Sequence, residues 1–512
     1  MSPALPPATM PVIRFAALVA LAALVASAPA TAQNLVSCQN GTAAGFDCEN
    51  VDLAAHMPLS MFGTSGSPAP SAGNDIWGWT DPQTGREYAL MGVRNGTVFV
   101  DITTPDAPVF VGKLPTATSG STWRDIKTYA DHAFIVSEAG GHGMQVFDLT
   151  RLRSGGTTPR TFTADARYTG FGSAHNVVID DESGFAYGVG VNGQTCAGGG
   201  LHIVDIRTPT APAYAGCFDD DGYTHDAQCL VYRGPDADYR GKEICVASNE
   251  DTITFVDVSD KQNPVQISRG FYPAPRYTHQ NWFTEDQRYI LVDDELDPSG
   301  TGTRTIIFDA EDLDSPQFDF FFISDEPVTD HNQYVKGDYA FQSNYNGGLR
   351  ILDISDIANQ NIDEVAFFDT YPQGQEPGFG GQWSNYPYFE SGTVVASDGD
   401  NGLFVLRPDA QFVTSSGDSP RARQQGFELT APTPNPSPDV ARLTLTVEQP
   451  QRVVAEAYDL AGRRVAVLLD AQLAPGAAQD VVFDGAELPA GTYLVRVRGE
   501  GFTASRRVVL AR

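Results

Sequence analysis

Short runs of apolar and β-branched residues recur along the chain, and turns rich in glycine, proline and aspartate separate them. Such runs predict β-strands rather than helices. One stretch shows four of them in order, at His175–Ile179, Phe185–Val189, Leu201–Ile206 and Pro212–Phe218. Four short strands joined by turns form a meander. The pattern therefore predicts an all-β chain.

An apolar tetrad with aspartate at its third position repeats within these runs. Its aspartates lie 47, 57, 52, 52 and 44 residues apart, as loops of varied length between fixed strands would place them. The tetrads are Phe99–Ile102, Val146–Leu149, Ile203–Ile206, Phe255–Val258, Ile307–Ala310 and Ile351–Ile354, and a further one, Phe404–Arg407, lacks the aspartate. Meanders repeated at this period pack radially. We therefore expect a seven-bladed β-propeller.

The last predicted blade is one strand short. It has runs at Trp383–Phe389, Thr393–Ser397 and Leu403–Leu406, whereas His56–Phe62 precedes the first blade and has no sheet of its own. A ring of sheets has to be closed, because an open ring leaves an edge with unpaired backbone groups. We expect this N-terminal segment to supply the missing strand.

The N-terminus has the pattern of a secretory signal peptide. Arg14 precedes an apolar run, Phe15–Ala28, and Ala30-Thr31-Ala32 is a small-residue cleavage motif. We therefore predict that residues 1–32 are removed, with Met10 as an alternative start. No later run reaches the roughly 18 apolar residues that a membrane span needs. The mature chain is expected to leave the cytoplasm and to have no transmembrane span.

Cysteines in an exported chain are expected to pair rather than to bind metal, because the compartment outside the cytosol is oxidising. Sequence neighbours suggest the pairs Cys38 with Cys48, Cys196 with Cys217, and Cys229 with Cys245. The last two spacings fit adjacent strands of one sheet. Other pairings of the same cysteines are not excluded, since spacing alone does not determine connectivity.

The chain carries 33 basic and 64 acidic residues, a net charge of −31. Such a surface repels a phosphate backbone and an anionic membrane alike, so no nucleic-acid partner is expected. A solvated acidic surface that keeps a secreted protein soluble is the favoured explanation of the charge, and cation binding is the alternative.

The chain is longer than one hydrophobic core usually supports, and its repeat stops before its end. Residues 409–427 are polar and include Ser415–Pro420, which predicts a linker. Alternating runs in residues 428–512 predict a small immunoglobulin-like β-sandwich. The expected organisation is thus a large propeller followed by a small sandwich.

The stretch Gly200–Ile206, written GLHIVDI, resembles the LVIVD repeat, and Cys38–Pro408 resembles the choice-of-anchor B family of secreted bacterial proteins. Five motifs carry the second resemblance, at Asn74–Leu90, Ser121–Lys127, Gly141–Leu149, Gly222–Cys229 and Tyr277–Tyr289. The resemblance implies that residues 33–408 form an LVIVD-repeat β-propeller at a cell surface, joined in different members to different anchoring tails. It implies no activity.

The C-terminal part is similar to the type A sorting domain of the type IX secretion system. The similarity rests on Thr433–Pro436, Ala457–Gly462, Leu488–Leu494 and Arg506–Leu510. It implies that the type IX secretion machinery recognises residues 428–512 and carries the protein across an outer membrane, to the cell surface or the medium. A generic immunoglobulin-like module would explain the strands, but not their position after a signal peptide.

Aligning the first strands of the predicted blades brings tryptophans and histidines to one level, namely Trp77, Trp123, His175, His225, His279, His331 and Trp383. First strands line the central channel of a propeller, so at least three of the four imidazoles are expected to face it. Together with Asp226 and Asp330 they could hold a divalent metal such as zinc, the candidate cofactor.

A structural role for the four histidines is the competing hypothesis, and the sequence favours it. A hydrogen bond that ties neighbouring strands together has to recur in each blade, whereas metal ligands have to converge on one point. Thr224, Thr278, Asp226 and Asp330 are suitable hydrogen-bond partners for such joints.

Two classes of function follow. The favoured one is a secreted, cell-surface-attached propeller that acts as a binding or adhesion module for an extracellular protein or glycan. The alternative is a metal-dependent extracellular enzyme at the histidine-lined channel, with metal-activated water as nucleophile and Asp226 as base. The sequence contains neither the GxSxG nor the HExxH signature of common hydrolases.

Overall fold

The structure, a computed structural model, describes residues 35–153, 158–296, 302–324, 326–374, 377–413, 427–430, 432–435, 437–447, 449–459, 464–486, 488–499 and 502–511. The predicted signal peptide and most of the predicted linker lie outside these residues. Strands dominate, and the only α-helix in the described ranges, α1 (Ala410–Val413), has four residues. The all-β prediction is therefore confirmed. No helix of these ranges is long and apolar enough to cross a membrane.

Blade-like sheets of antiparallel strands follow one another along the chain. Strands β1 (Thr42–Ala43), β2 (Phe46–Glu49) and β3 (Val51–Met57) come first, before a 3-10 turn at Leu59–Met61. Sheet A consists of β4 (Gly73–Thr80), β5 (Glu87–Val93), β6 (Gly96–Asp101) and β7 (Val109–Pro115). Sheet B consists of β8 (Arg124–Tyr129), β9 (His132–Ser137), β10 (Met144–Asp148) and β12 (Ala166–Tyr168), while β11 (Arg160–Thr161) pairs in parallel with β7 of sheet A. A 3-10 helix, Leu149–Arg153, follows β10.

Three regular sheets come next. Sheet C consists of β13 (Asn176–Asp180), β14 (Phe185–Val189), β15 (Leu201–Asp205) and β16 (Ala213–Phe218). Sheet D consists of β17 (Asp226–Val231), β18 (Glu243–Ser248), β19 (Ile253–Asp257) and β20 (Val265–Gly270). Sheet E consists of β21 (Thr278–Phe283), β22 (Tyr289–Asp294), β23 (Arg304–Asp309) and β24 (Gln317–Ile323).

The last two sheets of this part recruit the N-terminal strands. Sheet F consists of β25 (Asn332–Lys336), β26 (Tyr339–Ser343), β27 (Leu349–Asp353) and β28 (Asp363–Phe368), with a 3-10 helix at Ile357–Asn359, and β2 and β1 extend its outer edge. Sheet G consists of β29 (Gln382–Tyr386), β30 (Val394–Asp398) and β31 (Gly402–Pro408), and β3 pairs antiparallel with β31 as its fourth strand.

The N-terminal segment thus completes the last sheet, but with different residues from those predicted. The strand is Val51–Met57 rather than His56–Phe62. It ends before Pro58, because proline has no N–H to donate to a sheet ladder. Residues after this proline form the 3-10 turn instead.

The repeated aspartate ends the third strand of sheets A to F. In each of these sheets one of its oxygens, Oδ1, accepts the backbone N–H of the residue two positions later, at 2.9–3.0 Å. Aspartate stabilises tight turns in this way. The aspartates are Asp101, Asp148, Asp205, Asp257, Asp309 and Asp353. The most regular feature of the sequence is therefore a turn signal and not a functional site.

Each sheet packs face to face on the next in a closed cycle. One cluster of fully buried residues lies between sheets A and B, with Phe99 and Phe147 stacked 4.6 Å apart between ring centroids, and similar clusters lie between each following pair up to G and A. The first strands of neighbouring sheets also contact one another around the whole cycle, including β29 with β4. The first strands therefore surround a common central channel.

Three disulfides join the cysteines in the pairs that sequence neighbours suggested, Cys38–Cys48, Cys196–Cys217 and Cys229–Cys245. Cys229 and Cys245 face each other on adjacent strands, as expected. Cys196 instead lies in the loop before β15 and ties that loop to β16, so the second pair does not connect two strands.

The C-terminal residues form two further sheets with their own core. One sheet has the order β32 (Phe427–Leu429), β33 (Val440–Val447), β36 (Gln479–Asp484), and the other has the order β35 (Arg464–Leu473), β34 (Gln451–Asp459), β37 (Gly491–Gly499), β38 (Phe502–Leu510). Their shared core contains Leu443, Val453, Phe483 and Val495, and all of its residues come from this part of the chain.

The beginning of the predicted linker belongs to the larger unit. Phe412 and Val413 of α1 are buried in the cluster between sheets F and G, and the ring of Phe412 lies 5.2 Å from that of Tyr339. The first described residues of the predicted linker, residues 409–427, therefore include a short helix that packs on sheets F and G.

Candidate functional site

Backbone pairing shows which residues of the different first strands lie at the same height along the channel, and we call each such height a level. Trp77 pairs with Leu90, which pairs with Phe99, the first residue of a tetrad. Trp282 likewise pairs with Leu291, which pairs with Ile307, the first residue of another tetrad. Trp77 therefore belongs to the level of Trp282, three residues beyond the level of the histidines. The predicted alignment of Trp77 with the histidines is wrong.

The residues level with Trp77 surround a pocket of about 450 Å³ at one end of the channel. These residues are Trp77, Lys127, Val178, Gln228, Trp282, Tyr334 and Tyr386. Sequence reasoning missed this pocket, although a signal was present: in three successive first strands an aromatic residue follows three positions after the histidine level. The pairs are His279 and Trp282, His331 and Tyr334, and Trp383 and Tyr386.

Aromatic rings form one continuous wall of this pocket. The ring of Trp77 lies 5.0 Å from that of Tyr386 and 5.6 Å from that of Tyr334, and Tyr334 lies 4.9 Å from Trp282. Tyr388 extends the wall, 5.3 Å from Tyr386. Except for Tyr334, these rings are only partly buried, so part of each faces the open space.

Polar groups complete the pocket wall. Gln228 and Gln280 both line it, and each accepts a backbone N–H of the next sheet through Oε1 at 2.8 Å. These two bonds fix the orientation of both amides, so that each Nε2 group is a donor for some other partner. The carboxylates of Asp181, Asp226 and Glu285 also line the pocket.

A buried charge cluster forms the floor between the pocket and the histidines. Lys127 Nζ lies 2.6 Å from Asp125 Oδ1, 3.7 Å from Asp75 Oδ2 and 4.6 Å from the centre of the Trp77 ring. Burial opposes the charge on Lys127, but Asp125, Asp75 and Asp226 outweigh it and raise the pKa of the ammonium. Burial raises the pKa of Asp226 to about 6, with Asp125 adding to the effect.

The four histidines pack as a row at the opposite end of this floor. Ring centroids lie 4.2 Å apart for His175 and His225, 4.4 Å for His225 and His279, and 4.5 Å for His279 and His331. His175, His279 and His331 line a space of only about 10 Å³, together with Trp123 and Trp383. The structure therefore brings the four imidazoles together in one cluster.

Most of these imidazoles have hydrogen-bond partners in neighbouring sheets. His175 Nδ1 lies 2.6 Å from Glu138 Oε1, and His225 Nδ1 lies 2.9 Å from the hydroxyl of Tyr277. His331 Nδ1 donates to the carbonyl oxygen of Trp383 at 2.5 Å. Two of the partners proposed from sequence have other contacts: Thr224 donates to Asn249 and Thr278 bonds Tyr272.

Burial keeps three of the rings neutral. It lowers the pKa of His331 to about 3 and lowers the pKa of His225 and His279 well below the usual value, and neighbouring histidines add to the effect. Neutral imidazole is the form that binds metals. Glu295, at the end of β22, lies 4.0 Å from His279 Nε2 and was not predicted from sequence.

Comparison with known proteins identifies the repeat. Residues 172–220 and 332–364 match the LVIVD repeat, and these segments fall in sheets C and F. No protein with a curated description matches the chain.

Solved structures with a similar fold are distant in sequence. The β-propeller domain of Cps50 (Swd1) from Myceliophteria thermophila is 12% identical, with a TM-score of 0.42 over 67% of this chain and 98% of that one. The extracellular domain of a putative hybrid two-component system from B. thetaiotaomicron is 12% identical, with a TM-score of 0.43 over 90% of this chain and 58% of that one. The C-terminal WD40 domain of Sif2 is 10% identical, with a TM-score of 0.39 over 71% and 91%.

Proposed function

We propose that the protein is a secreted, surface-displayed seven-bladed β-propeller that binds a neutral glycan in the aromatic pocket at one end of its channel. The closed cycle of sheets A to G supports the blade count. The pocket carries the functional proposal, because its volume and its mixed aromatic and polar wall are those of a small-molecule site.

The wall favours a saccharide over other ligands. Partly exposed rings such as Trp282 and Tyr388 offer flat faces on which the C–H face of a sugar can pack. The oriented amides of Gln228 and Gln280 and the carboxylate of Asp226 can bond its hydroxyl groups. These groups together match a ring that is apolar on its faces and polar at its edge.

The charges argue against ionic ligands. Asp181, Asp226 and Glu285 would repel an anion, and Asp125 already neutralises Lys127. A cation would have to compete with Lys127 for the face of Trp77. A neutral polyhydroxylated ligand meets neither obstacle.

The alternative, a metal-dependent enzyme at the histidines, lacks room for a substrate. The space beside the imidazoles is about 10 Å³, compared with about 450 Å³ at the aromatic end. Asp226, the proposed base, lines the aromatic pocket rather than the space beside the histidines. A binding module is therefore the better-supported function.

Secretion and display form the second part of the proposal. Three disulfides favour an oxidising compartment outside the cytosol. The two-sheet unit at the C-terminus has a core of its own, as a transferable immunoglobulin-like sorting domain requires. The type IX secretion machinery would then be its partner.

Glycan-array screening of the mature protein, followed by calorimetry with the best saccharide, tests the pocket. We expect Trp282→Ala to weaken binding about two- to tenfold, because aromatic stacking contributes about 0.5–1.5 kcal/mol. Trp123→Ala is the matched control, since Trp123 is an exposed tryptophan at the histidine end. Absence of saccharide binding, or an equal loss in both variants, would show the proposal to be wrong.

A further inference from the structure

Three potential metal ligands converge where sheets E and F meet. His279 lies on β21, Glu295 follows β22, and His331 immediately precedes β25. One donor atom of each lies within 4.8 Å of the donor atoms of the other two. Donors of a tetrahedral zinc ion lie about 2.0–2.1 Å from the metal, so small side-chain rotations would bring these three onto one ion.

Two of the three side chains are oriented by other residues in the manner of metal ligands. His331 donates its Nδ1–H to the carbonyl of Trp383, which leaves Nε2 as the free donor. Tyr345 donates its hydroxyl to Glu295 Oε1 at 2.8 Å, which leaves Oε2 toward His279. Hydrogen bonds of this kind fix the tautomer of a ligating histidine and the orientation of a ligating carboxylate.

Unpartnered buried nitrogens form a second, independent observation. Nε2 of His225 and Nδ1 of His279 are buried and have no hydrogen-bond partner among the described residues. The side chains are 4% and 2% exposed. An unsatisfied buried polar atom is costly, and a bound ion is one of the few things that can compensate for it. Tyr277 occupies Nδ1 of His225, and that ring lies outside the group of donors within 4.8 Å of one another.

We propose that His279, His331 and Glu295 bind one divalent transition-metal ion. Imidazole and carboxylate ligands suit zinc in a tetrahedral arrangement. His175 is excluded from the set, because Glu138 holds it on the far side of His225. The set therefore differs from the ring of four histidines that the sequence suggests.

The ion has a structural role and not a catalytic one. A catalytic zinc site needs a position beside the ion that is open to water and substrate. The small space beside these residues leaves no room for a substrate. The ion joins sheet E to sheet F at the end of the channel opposite the aromatic pocket, and this site does not depend on the proposed glycan.

The test uses the full mature chain, stripped with EDTA and titrated with zinc chloride by calorimetry, with metal content measured by mass spectrometry. We expect one zinc per chain and a higher melting temperature in zinc. Glu295→Gln and His331→Gln should each weaken binding about tenfold or more. His175→Gln is the matched control and should bind as the unmodified protein does. X-ray absorption at the zinc edge should show nitrogen and oxygen donors without sulfur.

Glu295→Gln keeps the size of the side chain, so it remains informative if His331→Gln does not fold. Failure of the stripped protein to take up stoichiometric zinc would overturn the proposal. So would unchanged affinity in Glu295→Gln, which would indicate adventitious binding at surface carboxylates. An equal loss in His175→Gln would assign the ion to the histidine row instead.

Discussion

His202 on β15 is a buried titratable residue outside the channel. Its side chain is fully buried, its ring lies 5.2 Å from that of Phe171, and the hydroxyl of Tyr168 bonds its Nε2 at 2.8 Å. Burial lowers the pKa of His202 to about 4. The folded protein therefore keeps this imidazole neutral at pH values at which the unfolded chain protonates it.

We predict that this residue makes stability fall as the pH falls from about 6.5 to about 4, since the unfolded state then binds a proton that the folded state does not. The loss attributable to His202 should be on the order of 3 kcal/mol at pH 4. His202→Gln should remove this part of the pH dependence while keeping an acceptor for Tyr168.

Urea unfolding at pH 7 and pH 4, followed by tryptophan fluorescence, measures the effect. All five tryptophans lie between positions 77 and 383, so the signal reports on the sheets of the larger unit. His132→Gln, at a partly exposed imidazole, serves as control. If His202→Gln shows the same pH dependence as the unmodified protein, the burial argument is incorrect.

Individual site residues were only partly predictable from sequence. The four histidines could be found because they recur at one position of the repeat. Trp77 was misplaced, because loops of varied length separate the strands and the sequence alone does not fix which residue of β4 pairs at the level of His279. Glu295 belongs to no repeat, and only the folding of β22 beside β21 brings it to His279.

At the scale of single elements, a substitution in β3 tests how much this strand contributes to closing the cycle of sheets. Leu53 on β3 is 3% exposed and packs in the cluster between sheets F and G. We predict that Leu53→Ala lowers the free energy of unfolding by about 3 kcal/mol, because it removes buried apolar contacts and leaves a cavity.

Leu35→Ala is the matched control for this prediction. It makes the same substitution in the same N-terminal segment, at a side chain that is 48% exposed. We expect it to change stability by less than about 0.5 kcal/mol. Equal stability of the two variants in urea unfolding would mean that β3 contributes little to the closure.

The strands themselves were largely predictable, because alternating apolar residues and the tetrad aspartates mark them directly. The error at β3 has a simple cause. A continuous apolar pattern spans Pro58, and the sequence does not show on which side of the proline the strand pairs. Cys196 was similarly assigned to a strand, although it lies in a loop that the disulfide ties to β16.

At the scale of the whole molecule, the two units have separate cores. Among the residues that the structure describes, the C-terminal cluster contains none before Leu429, and the clusters of the larger unit contain none after Val413. The sequence predicts a division into two domains from the end of the repeat. It does not predict that α1 packs on sheets F and G, since four residues carry no periodic signal.

Deletion of residues 427–512 tests whether the C-terminal unit is a sorting signal for secretion. Because the deletion removes one complete core and leaves the others intact, the larger unit should fold with unchanged tryptophan fluorescence and its three disulfides. If the deleted part is recognised by the type IX secretion machinery, the truncated protein should accumulate in the periplasm of a host that has this system, while the full chain reaches the surface. Cell fractionation and protease accessibility of intact cells distinguish the two locations. Surface display of the truncated protein at normal levels would show that residues 427–512 are an ordinary β-sandwich module rather than a sorting domain.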